Sequence, residues 1–201
     1  LSQSEIKLIS RSIANDIAKN ARSGKINSKR IKQLEAKSDH DTAALVEALA
    51  EKCQKQSRPW IHYGLTSNDL VDTSNSLQMR DAIRIIQPKI KKLSLLLAKN
   101  ALKYKNIPAV GRTHGQHASI ISFGLKFANW ASEMSTHLER LDEIKKRILI
   151  CKTLGVVGTG SLMGKNAVKV QEKVSHKLGL FSAKVTTQII PRERYAEYVF
   201  Q

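Results

Sequence analysis

Apolar positions recur with a helical rhythm along nearly the whole chain. Ile6, Ile9, Ile13 and Ile17 stand 3, 4 and 4 apart, which predicts an amphipathic helix over 2–20. Asn20–Ser28 is a turn-rich break containing Gly24, and Ser28 is placed to cap a helix over 29–37. The next helix is expected from Ser38-Asp39 to about Gln54, with Ala44, Leu45, Ala48 and Leu49 inward, before Arg58-Pro59 interrupts. Leu70, Leu77, Ile83 and Ile86 resume the rhythm, and Pro88 either kinks this helix or starts another. Ile90, Leu93, Leu97, Ala101 and Tyr104 follow close to a heptad seam. The strongest stripe is Phe123, Phe127, Trp130, Met134, Leu138, Leu141, Ile144 and Ile148, predicting a helix from about Ser119 to Cys151. At ~1.5 Å per residue that is a rod of about 50 Å, which calls for a bundle or another subunit to cover its stripe. A Gly-rich loop over 155–164, a short helix over 165–178 and a segment that turns helical after Pro191 complete the reading. The expected fold class is all-α, a long-helix bundle.

Composition supports this picture. The 201 residues are 41% hydrophobic, enough for a core, while 5% aromatics and only 10 Gly and 4 Pro disfavour a turn-rich β-sandwich or barrel. No apolar run approaches the roughly 20 residues of a membrane span. Cys53 and Cys151 form no framework and read as reduced core thiols, so a cytoplasmic setting is expected. The charge is less ordinary: 34 Lys plus Arg against 17 Asp plus Glu give +17. Such a balance suggests nucleic acid, an anionic small-molecule substrate, or part of a longer chain whose acidic remainder lies elsewhere. The first residue is not Met and the helical pattern is unfinished at Tyr198–Gln201, which favours the last of these.

Several stretches are too polar and too specific for simple connectors. Ser38-Asp39-His40-Asp41 suits a helix N-terminus with acidic residues complementing the dipole. His62-Tyr63-Gly64-Leu65-Thr66-Ser67-Asn68-Asp69 reads equally as a capped turn or as an anion cradle of hydroxyls and backbone N–H groups. In Arg112-Thr113-His114-Gly115-Gln116-His117-Ala118 two histidines stand three apart, yet no Cys or acidic residue has the spacing to complete a metal site. A neutral imidazole beside Thr and Gln suits proton transfer to a polar substrate; a satisfied interhelical histidine explains it as well. The glycine cluster Gly155–Ser161 lacks the Gly-Lys-Ser/Thr ending of a phosphate loop.

Together these stretches are more informative than singly. His62 to Thr73 resembles the first signature of the adenylosuccinate lyase family, in the fumarase/aspartase superfamily. Arg112–Ala118 followed by Phe123–Trp130 resembles its second, and Gly158-Thr159 its Gly-Ala-Val-Gly-Thr turn. Thr187–Arg194 is similar to the segment entering the central helix, with Glu193 where Asp is usual, and His40-Asp41 fits the His-Asp pair before the first signature. The resemblance implies a fumarate-releasing carbon–nitrogen lyase of purine biosynthesis, acting on adenylosuccinate and the succinyl-carboxamide ribotide. It implies His114 as general acid supported by His40, and His62, Thr66, Ser67, Thr113, Gln188 and Arg192 as substrate-binding residues. Asp41, Asp69 and Lys126 would support them, and neither metal nor cofactor is implied. It further implies a homotetramer with shared sites, and a partial chain without the N-terminal helix, the serine-bearing loop and the C-terminal domain. Residues 1–105 would be an incomplete N-terminal helical domain and 106–201 the opening of the central bundle. Rival readings are an argininosuccinate- or carboxymuconate-type relative, or a basic helical nucleic-acid binder. The last is disfavoured because the cations are scattered through the predicted helices, with no recognition or stacking motif beside them.

Overall fold

The computed structural model describes residues 1–200, which pack as two units. One comprises Leu1–Leu77 and Leu149–Arg192; the other comprises residues 78–148 with the segment from Glu193. The sequence boundary expected near residue 105 falls inside the second unit.

In the first unit the helix expected over 2–20 is broken. A single turn, α1 (Ser2–Glu5), is followed by Lys7 at φ 62°, and α2 (Arg11–Arg22) starts afresh. The cause is local: the Ser10 hydroxyl accepts the Ile13 N–H at 3.3 Å and caps α2. α3 (Ser28–Ser38) is capped by Asn27, whose Oδ1 accepts from Arg30 N at 2.8 Å, so the cap is one residue earlier than expected. α4 (Asp41–Ala50) begins after His40 and is shorter than predicted. Leu34, Ala44 and Ala48, with Ile26 and Ile31 against them, seal the α3–α4 pair. Lys55–Trp60 forms a 3-10 turn that accommodates Pro59. A second core gathers Leu154, Met163, Ala167 and Val170 around α7 (Ala167–Leu178), with Ile6, Leu8 and Val174 packed on it.

α5 (Ser67–Lys103) begins in the first unit and continues in the second. It neither stops nor restarts at Pro88, and it is the longest helix, at about 55 Å. α6 (Phe123–Ile148) is shorter than the expected Ser119–Cys151 because its first residues belong to a hairpin instead. β1 (Pro108–Thr113) and β2 (Gln116–Ser122) pair antiparallel, with a bulge between Gly111 and Arg112. The hairpin is an addition to the all-α expectation, as is the short parallel pair β3 (Ile150–Cys151) and β4 (Phe181–Ser182) in the first unit. The start of α6 presses on the end of α5: a Cβ on Gly124 would overlap the Ala101 carbonyl oxygen. Tyr104, Phe123, Phe127 and Trp130 stack there edge to face, with successive ring centroids from 5.4 to 5.7 Å. α8 (Glu193–Val199) closes on α6 through Arg147–Glu197 and the Arg194 guanidinium on the Arg147 carbonyl. Among the described residues no helix is long and apolar enough to cross a membrane.

Candidate active site

The polar stretches of the first unit converge on the opening turns of α5. Asp69, Asp72, Thr73 and Ser76 lie at helical spacings of 3, 1 and 3, so they share one face, and all four are buried. Each is paired. Asp69 Oδ2 accepts the Thr66 N–H at 3.0 Å and the Gly155 N–H at 2.9 Å, while Oδ1 meets the Lys152 ammonium. Asp72 accepts the Ile190 N–H at 2.9 Å and the Arg192 guanidinium at 2.6 Å. The Thr73 hydroxyl joins both the N–H and the carbonyl of Lys152 at 3.2 Å, and Ser76 donates to the Ile150 carbonyl at 2.7 Å. One helical face thereby fixes the first-signature loop, the approach to the glycine loop and the 188–192 segment. Satisfied polar groups of this kind hold a unique arrangement, because each lost partner strands another in a dry interior.

His40 joins this cluster. It is the N-cap of α4, and its Nδ1 accepts the Ala43 N–H at 3.3 Å. A neutral ring accepting at Nδ1 carries its proton on Nε2, so Nε2–H is the donor to Ser67 Oγ, 3.2 Å away. Asp41 stands 3.5 Å from Nδ1, but its Oδ1 is engaged by the Thr42 N–H and hydroxyl. His40 is thus hydrogen-bonded to Ser67, and Thr66, the chain neighbour of Ser67, is hydrogen-bonded to Asp69. His62, held at φ 66°, lines an apolar cavity of about 440 Å³ with Ile17, Leu49 and Leu65, and its Nε2 is buried without a hydrogen-bond partner. Gln188 is exposed, and Arg192 is half exposed with its guanidinium anchored on Asp72. The glycine loop fits tightly beside them: a Cβ on Gly158, where φ is +78°, would overlap the Thr186 carbonyl oxygen.

The second unit presents the other set. Thr113 pairs with Gln116 across the hairpin end, and His114 (φ 50°) and Gly115 (φ 74°) form its two-residue turn. Positive φ at both central residues is the twist that suits a tight hairpin, and His tolerates that region better than most side chains. His114 therefore stands exposed at the tip. Below it the Arg112 guanidinium lies 3.2 Å from His117 Nε2. Arg112, Thr113, Ser119 and Lys126 line a recess of about 540 Å³, and its two cations suit an anionic guest. Among the described residues no cluster of three or more His, Cys, Asp or Glu is placed to hold a metal ion.

The profile of the family described as Lyase matches residues 2–201. The chain belongs to the lyase family. It is 43% identical to the adenylosuccinate lyase of Methanocaldococcus jannaschii over 98% of its own length and 43% of that protein's. The fumarate lyase of Mesorhizobium sp. BNC1 superposes with a TM-score of 0.91 at 30% identity, covering 99% of this chain and 47% of that one. The β-carboxy-cis,cis-muconate cycloisomerase of Acinetobacter calcoaceticus sp. ADP1 gives 0.91 at 27% identity, covering 99% and 47%. The chain thus spans less than half the length of these relatives.

Two buried residues of this lyase chain escaped the sequence reading: Lys152 and Asp72. For Lys152 a signal was present, a lone cation inside the apolar run Leu149–Leu154. A charge there has to be paired or the run cannot be buried. Asp72 follows Asp69 at i+3 within the first signature, which puts both carboxylates on one helix face.

Proposed function

We propose that these residues form part of the active site of an adenylosuccinate lyase, which releases fumarate from adenylosuccinate to leave AMP, and from the succinyl-carboxamide ribotide to leave the free carboxamide. The observation that carries this reading is the 43% identity to an adenylosuccinate lyase across 98% of the chain. The organised His40–Ser67–Thr66–Asp69 cluster supports it.

The elimination removes a proton from the carbon next to a succinyl carboxylate, passes through an aci-carboxylate, and breaks the C–N bond as the nitrogen is protonated. His114 is assigned as the general acid for the departing nitrogen, and His40 as its support. Thr66, Ser67, His62, Thr113, Gln188 and Arg192 are assigned to the substrate's phosphate and carboxylates. In these roles Asp41, Asp69 and Lys126 support them, with Asp69 orienting Thr66 from below. The reaction needs no cofactor.

A homotetrameric, cytoplasmic enzyme with sites shared between subunits belongs to the same proposal. What supports association is the apolar side chains left exposed within the second unit, among them Ile85 (60%), Leu95 (65%), Leu102 (70%) and Trp130 (48%). The test offers the enzyme containing these residues adenylosuccinate and argininosuccinate, reading fumarate release, and carboxymuconate, reading its disappearance by cyclisation to a lactone. Turnover of adenylosuccinate alone is expected. Turnover confined to either of the others overturns the assignment.

A further inference from the structure

Lys152 and Asp69 are the only ion pair among the described residues with neither side chain exposed at all. Both lie in the first unit, beneath the loop that carries Thr66 and Ser67. A buried ion pair is poor evidence for stability, because two apolar side chains of the same volume fill such a space as well or better. What apolar side chains cannot do is point. The Asp69 carboxylate divides its work: Oδ1 faces the Lys152 ammonium, and Oδ2 receives one N–H from each of two loops, Thr66 at 3.0 Å and Gly155 at 2.9 Å. Lys152 completes the link by donating to the Gly155 carbonyl at 3.4 Å, and its backbone is held at both ends by the Thr73 hydroxyl.

The fixed carboxylate therefore fixes Thr66, and the residue after Thr66 is the one whose hydroxyl meets His40 Nε2 at 3.2 Å. Release of the carboxylate would free the Thr66–Ser67 turn from the glycine loop and Ser67 from the imidazole. A displacement of about 1 Å at such a turn is enough to cost on the order of 10²-fold in a reaction that depends on orientation.

We propose that Lys152 and Asp69 are a buried pair of positioning residues that aligns the Thr66–Ser67 hydroxyls and the His40 ring for binding an anionic substrate. The role of those hydroxyls rests on the lyase activity proposed above. The alignment itself does not.

The experiment uses Lys152→Met and Asp69→Asn, each close to its original in volume, in the enzyme containing these residues, with Ser67→Ala as reference. Three quantities are read: the melting midpoint, KM and kcat for adenylosuccinate, and the NMR shifts of the His40 ring nitrogens, which report the bond to Ser67. The expected result is a KM raised at least about tenfold with kcat changed far less, and His40 shifts moved toward those of Ser67→Ala. A purely structural pair would lower the melting midpoint and leave KM and the His40 shifts where they were, and that result overturns the proposal. Loss of folding in both variants assigns the pair to stability and overturns it too. If the unmodified enzyme releases no fumarate from adenylosuccinate, the activity assignment falls, and the His40 shifts alone decide the positioning pair.

Discussion

The two polar stretches that carry the candidate chemistry are held in opposite ways. The loop from His62 to Asp69 sits on a buried polar face of α5, where its backbone is tied by Asp69 to Gly155 and Lys152. The stretch from Arg112 to Ala118 is an exposed hairpin end, held by strand pairing and by one side-chain contact between Arg112 and His117. The first is positioned by its surroundings; the second positions itself through backbone geometry. A binding loop needs the former, since hydroxyls orient an anion only when their own backbone is fixed. A group that delivers a proton at the end of a hairpin can stand free until substrate arrives.

The contrast is broken most directly at His114. His114 is exposed at the tip, so His114→Gln should keep the fold and lower the melting midpoint only slightly, through the strain of Gln at φ 50°. Losing a general acid should nonetheless lower kcat for fumarate release by ~10²–10⁴, with KM largely kept. A near-normal kcat removes His114 from the chemistry and with it the functional half of the comparison.

Glycine substitutions test the same contrast through stability. Gly158 and Gly115 both have φ near +75°, at 78° and 74°. They differ in surroundings: a Cβ on Gly158 meets the Thr186 carbonyl, whereas a Cβ on Gly115 meets nothing within 4 Å. Gly158→Ala combines backbone strain with a clash that only main-chain movement relieves, and about 2–4 kcal/mol should be lost in urea unfolding. Gly115→Ala carries the strain alone, about 1 kcal/mol. Equal losses at the two positions would mean that the glycine loop yields as easily as the hairpin tip.

The helices were legible in the sequence to the degree that their apolar stripes were. Ile144 and Ile148 are buried as their spacing on α6 required, and so are Ala44 and Ala48 on α4, whereas Leu45, expected inward with them, is exposed and Leu49 only partly covered. Periodicity failed where local hydrogen bonding overrode it. The stripe from Ile6 to Ile17 runs on regardless of the Ser10 cap that divides it. The hairpin was missed because its strands are mostly exposed and lack apolar–polar alternation, while its turn is His-Gly rather than the commoner Asn-Gly. Of the candidate site, the motifs named His40, Thr66, Ser67 and Asp69, and the structure hydrogen-bonds His40 to Ser67 and Thr66 to Asp69. Their support was not legible. Lys152 is 83 residues from Asp69 in the chain, and no local pattern announces a partner at that distance. Arg192 shows the same limit: the resemblance implies a binding residue, but nothing local in the sequence announces that its guanidinium rests on Asp72, 120 residues away.

The smallest expected effect lies at the edge of the first unit, where the same kind of tie occurs without burial. Glu5 on α1 accepts from Lys173 at 3.1 Å and Lys177 at 2.7 Å on α7. Those two ammonium groups hold its carboxyl down from 4.5 to about 2. A depressed carboxyl stabilises the fold at pH values above its ordinary one, and that contribution fades as pH falls from about 4.5 through about 2. Glu5→Gln should therefore melt slightly below the parent at neutral pH, with the gap closing by pH 2 and narrowing also as salt is added. At Asp69 the ammonium is out of reach of solvent, so added salt should leave the difference between the parent and Asp69→Asn nearly unchanged. Salt sensitivity at Asp69 equal to that at Glu5 would show that water reaches Lys152, and a carboxylate in water cannot hold two loops in register.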